Sequence, residues 1–243
     1  MKTDILGVAF DNIAPDEAAK LGAELAAGRK AAYVVTPNSE IVMAAGKDSA
    51  LMSALNGADM VLPDGIGVVY ASKILGTPLS ARVPGIDFAS GLMEKLSKKG
   101  GSVYLFGAKP GVAEKAAENI KAEFPGLVIA GTHDGYFDDD ADIIADINEK
   151  KPDFLMVCLG APKQELWMQK NAGGLAVGVM AGLGGCLDVF AGNVDRAPEG
   201  MQKAGLEWLY RLYKEPARIG RMARLPGILF KAAGQRMRGK SNG

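Results

Sequence analysis

The chain has 243 residues, 48% of them apolar and 23% charged, enough for one large or two small packed domains and too apolar for global disorder. Lys and Arg balance Asp and Glu at 28 each, yet residues 196–243 hold 11 basic and 3 acidic side chains, against 17 and 25 before them. A basic segment on an acidic body points to an anionic partner such as nucleic acid, lipid headgroups or a diphosphate. Cys158 and Cys186 lie among apolar neighbours, which fits two reduced, buried thiols and excludes a disulfide framework or a thiolate metal site. The opening MKTDILGVAFDNIAP sets Asp4 and Asp11 around a short apolar run and lacks the basic and apolar regions of a signal peptide. No stretch approaches the ~18–20 apolar residues of a spanning helix, so a cytoplasmic location is expected.

In chain order, short β-rich runs alternate with helical stretches, the pattern of a parallel sheet covered by helices. Strands are predicted at Ala31–Thr36, Met60–Leu62, Ser102–Phe106, Leu127–Gly131, Phe154–Leu159 and Leu175–Met180. Helices are predicted near Ser39–Leu55, Ile66–Leu75, Ile86–Ser97, Pro110–Phe124, Asp140–Lys150 and Gln164–Asn171. The Pro110–Phe124 segment is the clearest, with Pro at its start, Gly126 past its end and apolar Val112, Ala113, Ala116, Ala117 and Ile120 at helical spacing. The expected fold is a Rossmann-like α/β core over residues 1–195 followed by a basic, amphipathic helical appendage over 196–243. Within that appendage Pro216 and Pro226 are expected to divide the chain into short helices. Arg211, Lys214, Arg218 and Arg221 share one arc, and Trp208, Leu212, Ile219 and Met222 form an apolar stripe beside it. Such a helix packs on its own core or lies at a membrane surface.

In an open α/β sheet, ligands bind beyond the carboxyl ends of the strands, so the loops there carry the candidates. Thr36-Pro37-Asn38-Ser39-Glu40 reads equally as a helix cap, with Asn38 or Ser39 accepting from backbone amides. Leu62-Pro63-Asp64-Gly65 reads as a turn or cap, or as a carboxylate ionised at neutral pH and able to take a proton. Arg82 and Asp87 follow on a rigid turn. Gly107-Ala108-Lys109-Pro110-Gly111 matches neither G-x-G-x-x-G nor a Walker loop, which weakens a dehydrogenase or P-loop assignment. Gly160–Trp167 and Gly182–Asp188 would form adjacent walls of a nucleotide pocket, with Ala191–Pro198 following. The run Asp138-Asp139-Asp140 reads as helix capping before metal binding, and the sole histidine, His133, as a packing or hydrogen-bonding residue.

Taken together, TPNSE, LPDGIGVVYASK, RVPGIDF, LFGAKPGVAEKA, GYF, LGAPKQELWM, GLGGCLDVFAGNVDRAP and GLEWLYRLYKEPARIGR occur in an order that resembles the TagA/WecG/CpsF family of glycosyltransferases over almost the entire chain. Relatives often carry an aromatic residue where Gly185-Cys186-Leu187 stands here. The resemblance implies transfer of N-acetylmannosamine from UDP-N-acetylmannosamine to N-acetylglucosaminyl-diphospho-undecaprenol, the linkage-unit step of wall teichoic acid. It further implies one displacement with inversion, Asp64 as base, and Thr36, Asn38 and Arg82 positioning donor or acceptor. Gln164, Glu165, Gly184 and Asp188 are the candidates for holding UDP, with Gly107 and Tyr136 also in the substrate-binding set. Arg211, Arg218, Arg221 and Arg224 would meet the lipid diphosphate or anionic headgroups. No metal site and no cofactor beyond the sugar nucleotide are expected, and no nucleic acid. The implied setting is the inner face of the cell membrane, with the apolar stripe of the tail serving membrane contact or a homo-oligomer. The rival classes are a Rossmann-like oxidoreductase or methyltransferase, and a membrane-associated nucleotide sensor without catalysis.

Overall fold

The computed structural model describes residues 2–203, 206–214 and 225–241. The chain opens with an antiparallel hairpin, β1 (Lys2–Ile5) and β2 (Val8–Asp11), turned at Leu6-Gly7 with both residues at positive φ. This hairpin is absent from the predicted elements because each arm alternates over only four residues. Helix α1 (Pro15–Gly28) was likewise not expected; its buried face is made of the small residues Ala18, Ala19, Gly22 and Ala26.

A parallel six-stranded sheet follows, in the spatial order β4-β3-β8-β7-β5-β6. Its strands are β3 (Ala32–Val35), β4 (Met60–Val61), β5 (Ser102–Gly107), β6 (Val128–His133), β7 (Phe154–Cys158) and β8 (Val179–Gly182). The expected strand over Leu175–Met180 begins only at Val179; Ala172–Gly174 is a 3-10 turn, and the amide of Gly178 bonds Pro152 O outside the ladder.

Where one helix was expected over Ser39–Leu55 there are two, α2 (Ser39–Ala45) and α3 (Ser49–Asn56). Gly46 ends the first, and the Asp48 carboxylate starts the second by accepting from Ala50 N and Leu51 N. Helices α4 (Ile66–Leu75), α5 (Gly85–Ser97), α6 (Val112–Glu123), α7 (Ala141–Lys150) and α8 (Lys163–Asn171) stand where the sequence predicts them. In the acidic run it is Asp139 that accepts from Ala141 N, while Asp140 turns to Trp167 Nε1 at 2.8 Å. His133 meets the edge of the Phe106 ring, and its Nδ1 lies 2.8 Å from Asp134 O.

Alternation along the strands splits the core into two layers. Val34, Leu105, Met156 and Ala181 pack with α1, α5, α6 and the short α9 (Cys186–Phe190). Tyr33, Phe106, Leu155 and Met180 pack on the other face with α2, α3, α4, α7 and α8. This is the Rossmann-like arrangement, covered on both sides. No disulfide joins the buried Cys158 and Cys186.

Beyond the sheet lie α10 (Glu199–Lys203), α11 (Glu207–Lys214) and α12 (Leu225–Ser241). The expectation that Pro226 yields a short helix is corrected: α12 runs 17 residues with Pro226 in its first turn, where a proline sacrifices no hydrogen bond. Its Ile228 and Ala232 are fully buried with Val68 and Ala71 of α4, and Arg236 Nη1 donates to Ile74 O at 2.7 Å. Phe230 and Met237 remain exposed, as do Leu209 and Tyr213 of α11. Arg218, Ile219, Arg221, Met222 and Arg224 lie outside the described residues.

Candidate active site

The loops after β3 and β4 form one half of the site. Thr36, buried at the end of β3, donates from Oγ1 to Gly182 O at 2.9 Å, which ties β3 to β8 just past the ladder. Asn38 is the cap of α2, its Oδ1 accepting from Glu40 N at 2.9 Å and Ile41 N at 3.1 Å. Of the two cap candidates, Asn38 rather than Ser39 fills the role. Capping also fixes its side chain beside the next loop: a methyl group at Gly65 would lie 3.5 Å from Asn38 Cβ. Gly65, at φ +98°, holds the N-cap position of α4, so Asp64 stands one residue outside the helix, half-buried. The loop carrying Arg82 is drawn against Asp64 because Val83 N donates to Pro63 O at 2.9 Å. The first residue of α5, Gly85, seals the group: a methyl group there would sit 3.3 Å from Thr36 Oγ1. The three loops that carry Thr36 and Asn38, Asp64, and Arg82 are thus gathered at one sheet corner.

Arg82 has a partner the sequence reading missed. Its Nη2 lies 2.7 Å from Oε2 of Glu207 in α11, and the two side chains are only 16% and 7% exposed. The available signal was an acid in a strongly basic segment. Arg196, which the sequence reading left without a role, brings its Nη2 to 2.8 Å from Asp87 Oδ1 in the first turn of α5, off the hydrogen-bonding angle. Its Nε and Nη2 are buried without a hydrogen bond among the described residues.

The loops after β7 and β8 form the other half. Gln164 Oε1 accepts from Gly184 N at 2.9 Å and Gly160 N at 3.2 Å, while its Nε2 donates to Glu165 Oε1 at 2.9 Å. Gln164 and Glu165 are 3% and 1% exposed, so both stand behind the loop surface rather than on it. Oε2 of Glu165 has no hydrogen-bond partner among the described residues, and burial pushes its carboxyl above the usual range despite the bond from Gln164. What faces outward is backbone: methyl groups at Gly160, Gly184 or Gly185 would meet nothing within 4 Å. Such a bare shelf lets a ligand approach main-chain amides closely. Asp188, half-buried in the first turn of α9, is near enough for its charge to raise the Cys158 thiol, which burial pushes up to about 12.

Gly107 and Tyr136 lie further along the sheet. Gly107, at φ +128°, is required by packing, since a methyl group there would be 2.3 Å from Cys158 O. Tyr136 is exposed on a loop held by Gly135 N donating to Ala108 O and by Lys163 Nζ donating to Gly135 O. The two halves of the site meet at Gly182, whose carbonyl takes the Thr36 hydroxyl and whose α-carbon faces Gln164. Arg211 lies in α11 one turn beyond Glu207. Among the described residues, no three His, Cys, Asp or Glu side chains come together as a metal site, and no helix is long and apolar enough to cross a membrane.

A parallel, doubly covered sheet with polar side chains and bare glycine backbone gathered beyond its carboxyl edge defines an α/β protein of the Rossmann-like class, with its candidate site where that class binds ligands. Within that class the chain belongs to the Glycosyl transferase WecG/TagA/CpsF family, whose model it matches over residues 3–242. It is 42% identical over 197 residues to an N-acetylglucosaminyldiphosphoundecaprenol N-acetyl-beta-D-mannosaminyltransferase of Bacillus spizizenii, covering 81% of this chain and 77% of the relative. The protein of that name from Bacillus subtilis is 39% identical over 80% of this chain and 76% of its own. The one from Staphylococcus aureus strain MW2 is 36% identical over 96% and 92%.

Proposed function

We propose that this enzyme transfers N-acetylmannosamine from UDP-N-acetylmannosamine to N-acetylglucosaminyl-diphospho-undecaprenol, forming the disaccharide linkage unit of wall teichoic acid. The observation that carries this reading is the corner where Asp64 stands outside its helix beside Asn38, with the Arg82 loop bonded to Pro63. The names of the relatives supply the acceptor and the sugar.

In this mechanism an acceptor hydroxyl attacks the anomeric carbon of the α-linked donor from the face opposite UDP. The new C–O bond is β, the bond to UDP breaks, and the hydroxyl proton passes to the Asp64 carboxylate. Thr36 and Asn38 set the height of the surrounding loops through Gly182 and the α2 cap. Arg82 and the amides of the glycine shelf stabilise the leaving diphosphate, with no metal ion or cofactor required. Gln164 and Glu165 serve UDP binding indirectly, by shaping that shelf. The basic tail, through Arg211, Arg218, Arg221 and Arg224, meets the lipid diphosphate and the anionic inner face of the cell membrane. Apolar Leu209 and its neighbours contact lipid or a second subunit.

UDP release, measured with UDP-N-acetylmannosamine and a short-chain lipid-diphosphate N-acetylglucosamine, tests the reading. Acceptor-dependent release is expected. Release that is absent here but present with UDP-N-acetylglucosamine would overturn the donor, and preferential binding of NAD or S-adenosylmethionine over UDP would overturn the class.

A further inference from the structure

We infer that Glu207 is a positioning residue for Arg82, coupling the seating of the tail helix α11 to the orientation of the arginine in the active site; this rests on the transferase reading above. The pair is a 2.7 Å contact between residues 125 apart, so nothing local holds it together. Glu207 is almost fully buried in a segment otherwise rich in Lys and Arg. An isolated buried carboxylate is strongly disfavoured, which makes pairing with a cation the condition for placing it there. From the other side, the backbone beside Arg82 is anchored by Val83 N to Pro63 O, next to Asp64. What that anchor leaves undetermined is the direction of a long, rotatable side chain. Glu207 takes Nη2 of the guanidinium, one of its three nitrogens, and so fixes that direction. Arg82 is therefore aimed only when α11 is docked, and tail docking and completion of the charged site become one event.

The test is a double-mutant cycle in turnover with Arg82→Gln, Glu207→Gln and the double variant, all in the full chain. Glu207→Gln is expected to slow turnover, up to roughly 10²-fold as for a displaced catalytic group, with UDP affinity nearly unchanged. Because Glu207 acts through Arg82, the double variant should be no slower than Arg82→Gln alone. Losses that multiply, or wild-type turnover in Glu207→Gln, would overturn the inference while leaving the transferase reading intact. Inactive wild-type protein would instead overturn the transferase reading. Should Glu207→Gln melt early, Glu207→Asp keeps the charge and shortens the reach: slowed turnover at a wild-type melting temperature is expected, and unchanged turnover would refute the coupling.

Discussion

The side-chain carbonyl of Gln164 lies 2.9 Å from the amide of Gly184, so one amide group from the start of α8 fixes the glycine turn that follows β8. The same oxygen serves Gly160 N, and removing it strips two loops at once. Gln164→Leu is expected to cost about 1–3 kcal/mol. In a chain of this size that lowers the melting temperature by about 2–12 °C. Because the shelf loosens, UDP affinity should fall as well; thermal melting and calorimetric titration check both.

Asp64→Asn keeps the shape of the turn after β4 and removes the proton acceptor. Turnover should drop by about 10²–10⁴-fold while UDP binding stays at the wild-type level. Full activity in this variant would move the base to another residue.

Glu165 makes stability depend on pH in a direction opposite to most carboxylates. Burial holds its folded-state pKa above the value of about 4.3 expected when unfolded, so the folded protein retains a proton that the unfolded chain releases. Raising the pH from the unfolded value through the folded one therefore lowers stability, and beyond that window the penalty is constant. Glu165→Gln should flatten this dependence and be more stable than wild type at pH 8. Urea midpoints measured between pH 4 and 8 would show it; a gap that does not widen with pH contradicts the assignment.

Gly107→Ala separates packing from ligand binding at a residue first marked for substrate. The added methyl would collide with Cys158 O, so a destabilisation on the order of 1–3 kcal/mol or more is expected. UDP affinity per folded molecule should be unchanged, as read by titration at a temperature where the variant is folded.

Replacing Arg218 and Arg221 together by Ala removes two charges from the basic tail. At about 1 kcal/mol each near an anionic surface, the pair should weaken use of lipid acceptor in anionic vesicles by roughly 10- to 30-fold. UDP binding should be nearly intact, and an equal loss of both would count against the membrane role.

Much of this architecture could be read from local pattern. Pro110 and Gly126 bracket α6, and the apolar runs at Ser102–Phe106 and Phe154–Leu159 form central strands because both their faces are buried. The hairpin ending at Asp11 escaped because its arms are only four residues long, α1 because its buried face is made of small residues, and the break at Gly46 because no proline marks it. At the site, residue types were legible but neighbours were not. Asn38 could be named as a cap from its position, whereas its contact with Gly65, the bond from Thr36 to Gly182 and the pairing of Arg82 with Glu207 depend on crossovers that no local spacing encodes.

Gln235 of α12 accepts from Leu6 N at 3.2 Å and donates to Asp4 Oδ1 at 3.0 Å, across a separation of 229 residues for the first bond. On a ribosome adding about 5–20 residues per second, the hairpin is therefore made roughly 10–50 s before the helix that completes it. During that interval its turn amide and the α4 face later covered by Ile228 and Ala232 wait uncovered, so the nascent chain carries an apolar patch until α12 docks.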